Sequence, residues 1–78
     1  MEVEVRLFAT LRSILAKEDR GVGIVDIEEG SSVDDLIEYL EIPRDIPLII
    51  MINGQRKSEE SLLKEGDRVG IFPPVGGG

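Results

Sequence analysis

The stretch Ser32-Val33-Asp34-Asp35-Leu36-Ile37-Glu38-Tyr39-Leu40-Glu41 decides the fold of this 78-residue chain. Its first four residues match the S-x-x-[DE] pattern of a helix start. The apolar residues that follow recur at helical spacing and form a single stripe. Pro43 cannot continue a helix and is expected to end it near Glu41. The pattern predicts a helix over 32–41 whose apolar face must pack against another element.

Apolar segments on both sides of this helix predict strands over 2–7, 22–28, 48–52 and 68–72. Asn53-Gly54 supplies the residues of a tight turn with positive φ, and the short segment 55–57 follows it. The first and last strands lie at the chain ends and could be neighbours at the centre of the sheet. We therefore expect an α+β domain with a mixed four- to five-stranded sheet and a helix packed on one face.

Two shorter helical segments are also expected. Leu11, Ile14 and Leu15 have helical spacing after a possible N-cap at Thr10, which predicts a helix over 11–17. The segment 58–63 could form one helical turn whose residues Leu62 and Leu63 cover one end of the core.

Composition excludes several classes of function. The chain has no Cys, His or Trp, so it lacks a thiol nucleophile, a histidine base and a Cys/His zinc site. Catalysis by carboxylates alone remains open, and no metal site is expected. The net charge of −7 argues against a nucleic-acid partner. No apolar run could span a membrane, no signal peptide is recognisable, and the lack of cysteine favours the cytoplasm.

Eight of the acidic residues fall between Asp26 and Asp45, with Arg44 the only base among them. Much of this bias lies on the outer face of the predicted helix, where it would keep the protein soluble. The alternative is a patch that steers the domain toward a basic partner.

Phe8 and Phe72 lie out of phase with the inward residues of their strands. They could contribute to an exposed apolar patch that docks partners, or they could cap the core near the strand ends. Arg56 and Lys57 are expected in a solvated turn.

The chain finishes in Phe72-Pro73-Pro74-Val75-Gly76-Gly77-Gly78. Three glycines order poorly, so residues 73–78 are expected to form an exposed, flexible tail after a domain over 1–72. The tail could be a frayed end or an expression remnant. Alternatively, it is an arm whose terminal carboxylate is the reactive group, and Gly78 would then be the natural C-terminus.

The chain resembles the MoaD/ThiS family of sulfur carriers, which have the ubiquitin-like β-grasp fold, and most closely the small subunit of molybdopterin synthase. The resemblance covers essentially the whole chain. It rests on Leu7-Phe8-Ala9-Thr10-Leu11-Arg12, on Asn53-Gly54 and Gly66-Asp67, and on Phe72-Pro73-Pro74-Val75 before the terminal glycines. Gly76 departs from the molybdopterin carriers and is more familiar among sulfur carriers of thiazole synthesis, which puts the pathway in doubt.

The resemblance implies a defined chemistry and defined partners. An E1-like adenylating enzyme would use ATP to activate the carboxylate of Gly78, and sulfur would then replace AMP to give a thiocarboxylate. The tail, Pro73, Pro74, Val75, Gly76 and Gly77, would enter a pocket of the large synthase subunit, where sulfur passes to a cyclic pterin phosphate. The chain itself would bind no cofactor and supply no catalytic side chain.

Three other functions remain open at this point. The chain could carry sulfur for thiazole or cysteine synthesis. It could be a ubiquitin-like modifier that is joined to lysines, because an amine can attack the same acyl-adenylate. It could also be a β-grasp binding module with an idle tail.

Overall fold

The computed structural model describes residues 1–14 and 21–73. Strands and helices alternate along the first half of this part, and strands dominate the second half. The elements are β1 (Glu2–Leu7), a 3-10 helix (Ala9–Ile14), β2 (Val22–Asp26), α1 (Val33–Tyr39), β3 (Ile49–Ile52), β4 (Gln55–Lys57) and β5 (Arg68–Phe72).

The strands form one mixed sheet in the order β2-β1-β5-β3-β4. β1 and β5 run parallel, with Val5 beside Val69 and Leu7 beside Ile71, and the other neighbours are antiparallel. The expected central pairing of the first and last strands and the α+β architecture are confirmed. Because β1 and β5 are parallel, their carboxyl ends meet at the same end of the sheet.

The core lies between one face of the sheet and α1. Val33, Leu36 and Ile37 of α1 are fully buried there, as the apolar stripe predicts. The other buried residues are Val3, Val5, Leu7, Leu11, Val25, Ile42, Ile50, Ile52, Leu63, Val69 and Ile71. All are aliphatic, and the described residues include no buried polar side chain.

The start of α1 confirms the capping prediction. The Ser32 hydroxyl accepts a hydrogen bond from the Asp35 backbone N–H at 3.2 Å, and the Asp35 carboxylate accepts one from the Ser32 N–H at 3.0 Å. This reciprocal pair satisfies two N–H groups at the helix start. The helix ends slightly earlier than predicted, with Leu40 as the C-cap and Glu41 at a φ of 58°.

The helical turn predicted over 58–63 is wrong. Ser58, Ser61 and the residues between them form a turn, and Leu62 makes an isolated bridge with Ser32. The carbonyls of Ser61 and Glu59 accept hydrogen bonds from the N–H groups of Val33 and Asp34 at 2.9 and 2.8 Å. These bonds anchor the turn beside α1, because they satisfy N–H groups that the start of the helix leaves free. Leu63 is buried as predicted, whereas Leu62 is 66% exposed.

Three other elements differ from the predictions. β2 ends at Asp26, two residues before the predicted end. The helix predicted over 11–17 is a 3-10 helix that begins at Ala9, so Thr10 lies within it and is not its N-cap. The Leu11 N–H bonds the Phe8 carbonyl three residues earlier, which is the 3-10 pattern, and residues 15–17 lie outside the described residues. The aliphatic run over 48–52 is typical of a strand covered on both faces, but Ile49 and Met51 on the outer side of β3 are only half-buried.

Candidate functional site

The candidate site lies on the face of the sheet that α1 leaves uncovered. Side chains alternate across a strand, so the residues between the buried positions of β1, β3 and β5 point to this outer face. They include Arg6 on β1, Met51 on β3, and Arg68, Gly70 and Phe72 on β5. This face combines apolar, cationic and acidic groups, since Glu2 and Glu4 share it with Arg6, whereas the inner-facing residues of β1, β3 and β5 are all aliphatic.

Two aromatic rings stack at one end of this face. Phe8 follows β1 directly and Phe72 ends β5, and the Phe8 N–H donates to the Ile71 carbonyl at 3.3 Å. The ring centroids are 4.1 Å apart and the ring planes differ by 8°. The parallel pairing of β1 and β5 produces this contact, because it brings the carboxyl ends of both strands together. Phe8 remains 37% exposed, and Phe72 is half-buried.

Gly70 provides the space that the aromatic pair occupies. A Cβ atom at this position would lie 3.3 Å from the Phe72 ring and 3.6 Å from the Phe8 ring. Met51 is the β3 neighbour of Gly70. Together these four residues line a shallow, open groove of about 390 Å³, to which Arg6, Asn53, Gly54, Arg68 and Val69 also contribute.

The Asn53-Gly54 turn closes one end of the groove and is held rigidly. Both residues have positive φ, 52° and 84°, which confirms the predicted tight turn. The Asn53 side chain donates to the Asp67 carboxylate and accepts from the Arg68 N–H, both at 2.9 Å. Asp67 in turn accepts from the Lys64 N–H at 2.8 Å. These bonds fix the turn to the start of β5.

The cations give the groove a positive rim. Arg6 donates through Nε to the Glu4 carboxylate at 2.9 Å, and Arg68 lies across from Glu4 in the β1–β5 register. Arg56 was expected in a solvated turn, but it lies on β4 as the exposed neighbour of Met51. The outer face thus carries three guanidinium groups, and Glu4 already pairs with one of them, so the cations beside the apolar groove would complement carboxylates of a partner.

The structure brings together only some of the residues that the sequence suggested. Phe8 and Phe72 share one patch, and Pro73 is half-buried immediately beyond it. Pro74, Val75, Gly76, Gly77 and Gly78 lie outside the described residues. Sequence reasoning missed Gly70 and Met51, although strand alternation alone would have placed both on the outer face.

The chemistry of the described residues at this groove is apolar and cationic. No group of three or more Asp or Glu residues among them could hold a metal ion. The groove itself presents guanidinium, amide and apolar groups, none of which is a nucleophile or a general base at neutral pH.

A family model matches residues 5–78, nearly the whole chain, and it describes the ThiS family. The chain belongs to the ThiS family. The resemblance to the MoaD/ThiS sulfur carriers is therefore confirmed. No curated protein sequence matches the chain.

Solved structures give the same fold. A Pyrococcus furiosus protein assigned as subunit 1 of molybdopterin converting factor is 30% identical, with a TM-score of 0.75 over 96% of this chain and 99% of that one. Small archaeal modifier protein 1 from Haloferax volcanii is 22% identical, with a TM-score of 0.74 over 95% and 98% of the two chains. A complex of subunits 1 and 2 of molybdopterin-converting factor from Helicobacter pylori contains a chain that is 22% identical. Its TM-score is 0.64, and the match covers 100% of both chains.

These neighbours confirm the β-grasp fold that sulfur carriers and ubiquitin-like modifiers share. Within the described parts of the chain, none of the helices is long and apolar enough to cross a membrane.

Proposed function

We propose that this chain is a sulfur carrier and the small subunit of molybdopterin synthase. In this proposal the Gly78 carboxylate becomes a thiocarboxylate that donates sulfur during molybdenum or tungsten cofactor synthesis in the cytoplasm. The observation that carries the proposal is the Phe8–Phe72 stack on the uncovered sheet face, immediately before the chain leaves β5 at Pro73. A partner that docks on this patch would receive the residues that follow.

The length and composition of the sequence after β5 support a carrier more than an autonomous enzyme. Six residues follow Phe72 and span at most about 20 Å when extended. That length would carry Gly78 into a partner's active site while the domain stays on the partner's surface. Pro73 and Pro74 restrict φ and favour an extended exit, and three residues without side chains fit a narrow channel.

The proposed reaction needs two steps at the carboxylate. A Gly78 carboxylate oxygen attacks the α-phosphorus of ATP on an adenylating enzyme, which forms an acyl-adenylate and releases pyrophosphate. A hydrosulfide ion then attacks the acyl carbon and expels AMP, and after loss of its proton the sulfur stands in place of one carboxylate oxygen. Activation is required because a carboxylate is a poor electrophile. The chain supplies the acyl group, and the E1-like partner supplies the ATP site.

Two findings support the molybdopterin branch and a large-subunit partner. The 30% identical Pyrococcus furiosus protein is assigned as subunit 1 of molybdopterin converting factor. In the Helicobacter pylori structure, a protein of this fold is in complex with subunit 2 of the same factor. We infer that this chain docks on a corresponding large subunit.

The mass of the intact protein tests the proposal. The chain is incubated with its adenylating enzyme, ATP and a sulfur source, and exchange of one oxygen for sulfur should add about 16 Da. A variant that lacks Gly78 should gain nothing. Glu60→Ala, at an exposed position in the 58–63 segment, should load as the wild type does. If the full-length chain gains no mass while a known carrier loads in the same mixture, the carrier proposal fails.

The molecule that accepts the sulfur then distinguishes the molybdopterin pathway from the thiazole pathway. Loaded chain mixed with the large synthase subunit and a cyclic pterin phosphate should lose its added sulfur. Loss of sulfur only to a thiazole synthase would replace the molybdopterin branch with the thiazole branch. High-mass conjugates with lysines of other proteins would favour the modifier function instead, because an amine would then have attacked the acyl-adenylate.

A further inference from the structure

The two edges of the sheet are built differently. β4 at one edge has only three residues, Gln55–Lys57, all exposed and two of them cationic. Short, charged strands are a common protection of sheet edges against pairing with other chains. β2 at the other edge, Val22–Asp26, has five residues and a single charge. It contains no proline or lysine, so β2 lacks the protection that β4 has.

The register of β2 leaves backbone groups unpaired at its open edge. The Leu7 N–H bonds the Gly21 carbonyl at 2.8 Å, and the Ile27 N–H bonds the Met1 carbonyl at 2.9 Å. The backbone N–H and C=O groups of the odd-numbered residues in β2 therefore point toward β1. Those of Val22, Ile24 and Asp26 point away from it. Within 1–14 and 21–73, β1 is the only strand that pairs with β2. Toward the described residues, the outer edge of β2 thus presents three donors and three acceptors that β1 does not use.

The side chain at the centre of this edge is not explained by the proposed docking patch. Ile24 is 64% exposed and lies beside Glu4 on the outer face. The ion pair between Glu4 and Arg6 lies between Ile24 and the Phe8–Phe72 stack. An exposed isoleucine in the middle of an unprotected edge strand adds an apolar contact to an edge that is already open to strand pairing.

The charge around the edge defines what would cover it. A groove of about 700 Å³ lies between the end of β2 and α1, and Asp26, Ile27, Glu28, Asp35 and Tyr39 contribute to it. The Asp26 side chain is 82% exposed. No Lys or Arg among the described residues lines the groove. Its one cation, the Met1 amine, already donates to the Ile27 carbonyl at 2.7 Å and contacts Asp26.

We propose that β2 accepts an extended segment of a partner protein as a sixth strand, and that this segment alternates apolar with basic residues. Backbone hydrogen bonds to Val22, Ile24 and Asp26 supply affinity. An apolar residue of the added strand covers Ile24 on the outer face. The Lys or Arg residues that alternate with it then lie on the other face, toward the acidic groove beside α1. A second copy of the chain fits less well, because each copy carries a net charge of −7 and the same acidic groove.

Three synthetic peptides test this pairing. The first alternates valine with lysine. The second replaces two of its valines with proline, which keeps the charge but prevents strand pairing. The third replaces lysine with glutamate. Amide hydrogen exchange, followed by NMR, reports each backbone N–H. The first peptide should slow exchange at Val22, Ile24 and Asp26 at least about tenfold and leave Arg56 on β4 unchanged.

The other peptides and two variants decide between outcomes. The proline peptide and the glutamate peptide should give no protection at the edge. Ile24→Pro removes the central donor at a position where an edge strand tolerates proline, and it should abolish protection at Val22 and Asp26. Asp26→Lys keeps every backbone N–H group, and it should weaken binding of the lysine peptide and strengthen binding of the glutamate peptide. The proposal can therefore be tested even if Ile24→Pro does not fold.

Three results would overturn the proposal. Equal protection by the lysine peptide and its proline counterpart would show attraction between charges without strand pairing. If no peptide changes the exchange rates of the three edge amides, β2 does not accept a sixth strand. Concentration-dependent dimers of the free chain that Ile24→Pro abolishes would show that a second copy covers the edge instead.

Discussion

The two faces of the sheet use the same strands for different purposes. The inner-facing residues of β1, β3 and β5 are all aliphatic, and Val5, Val69 and Ile71 have no exposed surface. The residues of the outer face alternate with them along the same strands and include a stacked aromatic pair and guanidinium groups around an open groove. Because strand side chains alternate, a single sequence can assign stability to one face and recognition to the other. Substitutions on the two faces should therefore separate these properties.

The largest expected effect on stability is on the inner face. Leu36→Ala removes a side chain of α1 that is fully buried against the sheet. Loss of buried surface and the remaining cavity should lower the free energy of unfolding by about 2–5 kcal/mol, measured by urea denaturation. Affinity of the folded fraction for the proposed large subunit should not change. If the affinity falls by more than the unfolded fraction of Leu36→Ala accounts for, the two faces do not act separately.

The outer face should show the reverse. Phe72→Ala removes half of the ring stack and, with it, the centre of the proposed docking patch. We expect affinity for the adenylating enzyme and the large synthase subunit to fall at least about tenfold, as measured by calorimetric titration. The thermal transition should shift less than in Leu36→Ala, because Phe72 is only half-buried. Phe8→Ala should have the same effects.

A matched control for the docking patch is Leu62→Ala. Leu62 is a large apolar residue that is 66% exposed beside the start of α1 and lines neither groove, and its removal should leave both affinities unchanged. If Phe8→Ala and Phe72→Ala lower thermal stability but do not alter affinity, the two rings cap the core and do not dock partners.

Local patterns predicted most of the fold correctly. Period-two alternation identified β1 and β5, and the capping pattern at Ser32 identified the start of α1. The prediction was wrong where distant residues decide the local conformation. The 58–63 segment has helix-compatible residues, but its carbonyls bond the N–H groups of Val33 and Asp34. No pattern within six residues reveals such a long-range bond.

The candidate site was predicted only in part, for a similar reason. The phases of Phe8 and Phe72 placed both rings on the outer face, but their contact depends on the parallel register of β1 and β5. The two residues lie near opposite ends of the chain, so spacing alone does not show that their rings meet. Gly70, in contrast, could have been recognised by its phase. The functions of Pro74 and the residues after it stay predictions that loading experiments must test.

The smallest of these effects is expected at the start of α1, on the side of the fold away from the docking patch. Ser32→Ala removes the acceptor for the Asp35 N–H, while the carbonyls of Glu59 and Ser61 still satisfy Asp34 and Val33. The helix start therefore loses one of several bonds, and the free energy of unfolding should fall by about 1 kcal/mol. Ser32→Thr, which retains a hydroxyl acceptor, should lose less. Urea denaturation of the three proteins measures both differences. Equal losses in the two variants would mean that the side-chain cap contributes little and that the 58–63 segment alone holds the helix start. Affinity for the large subunit should be unchanged in both, since neither substitution reaches the outer face.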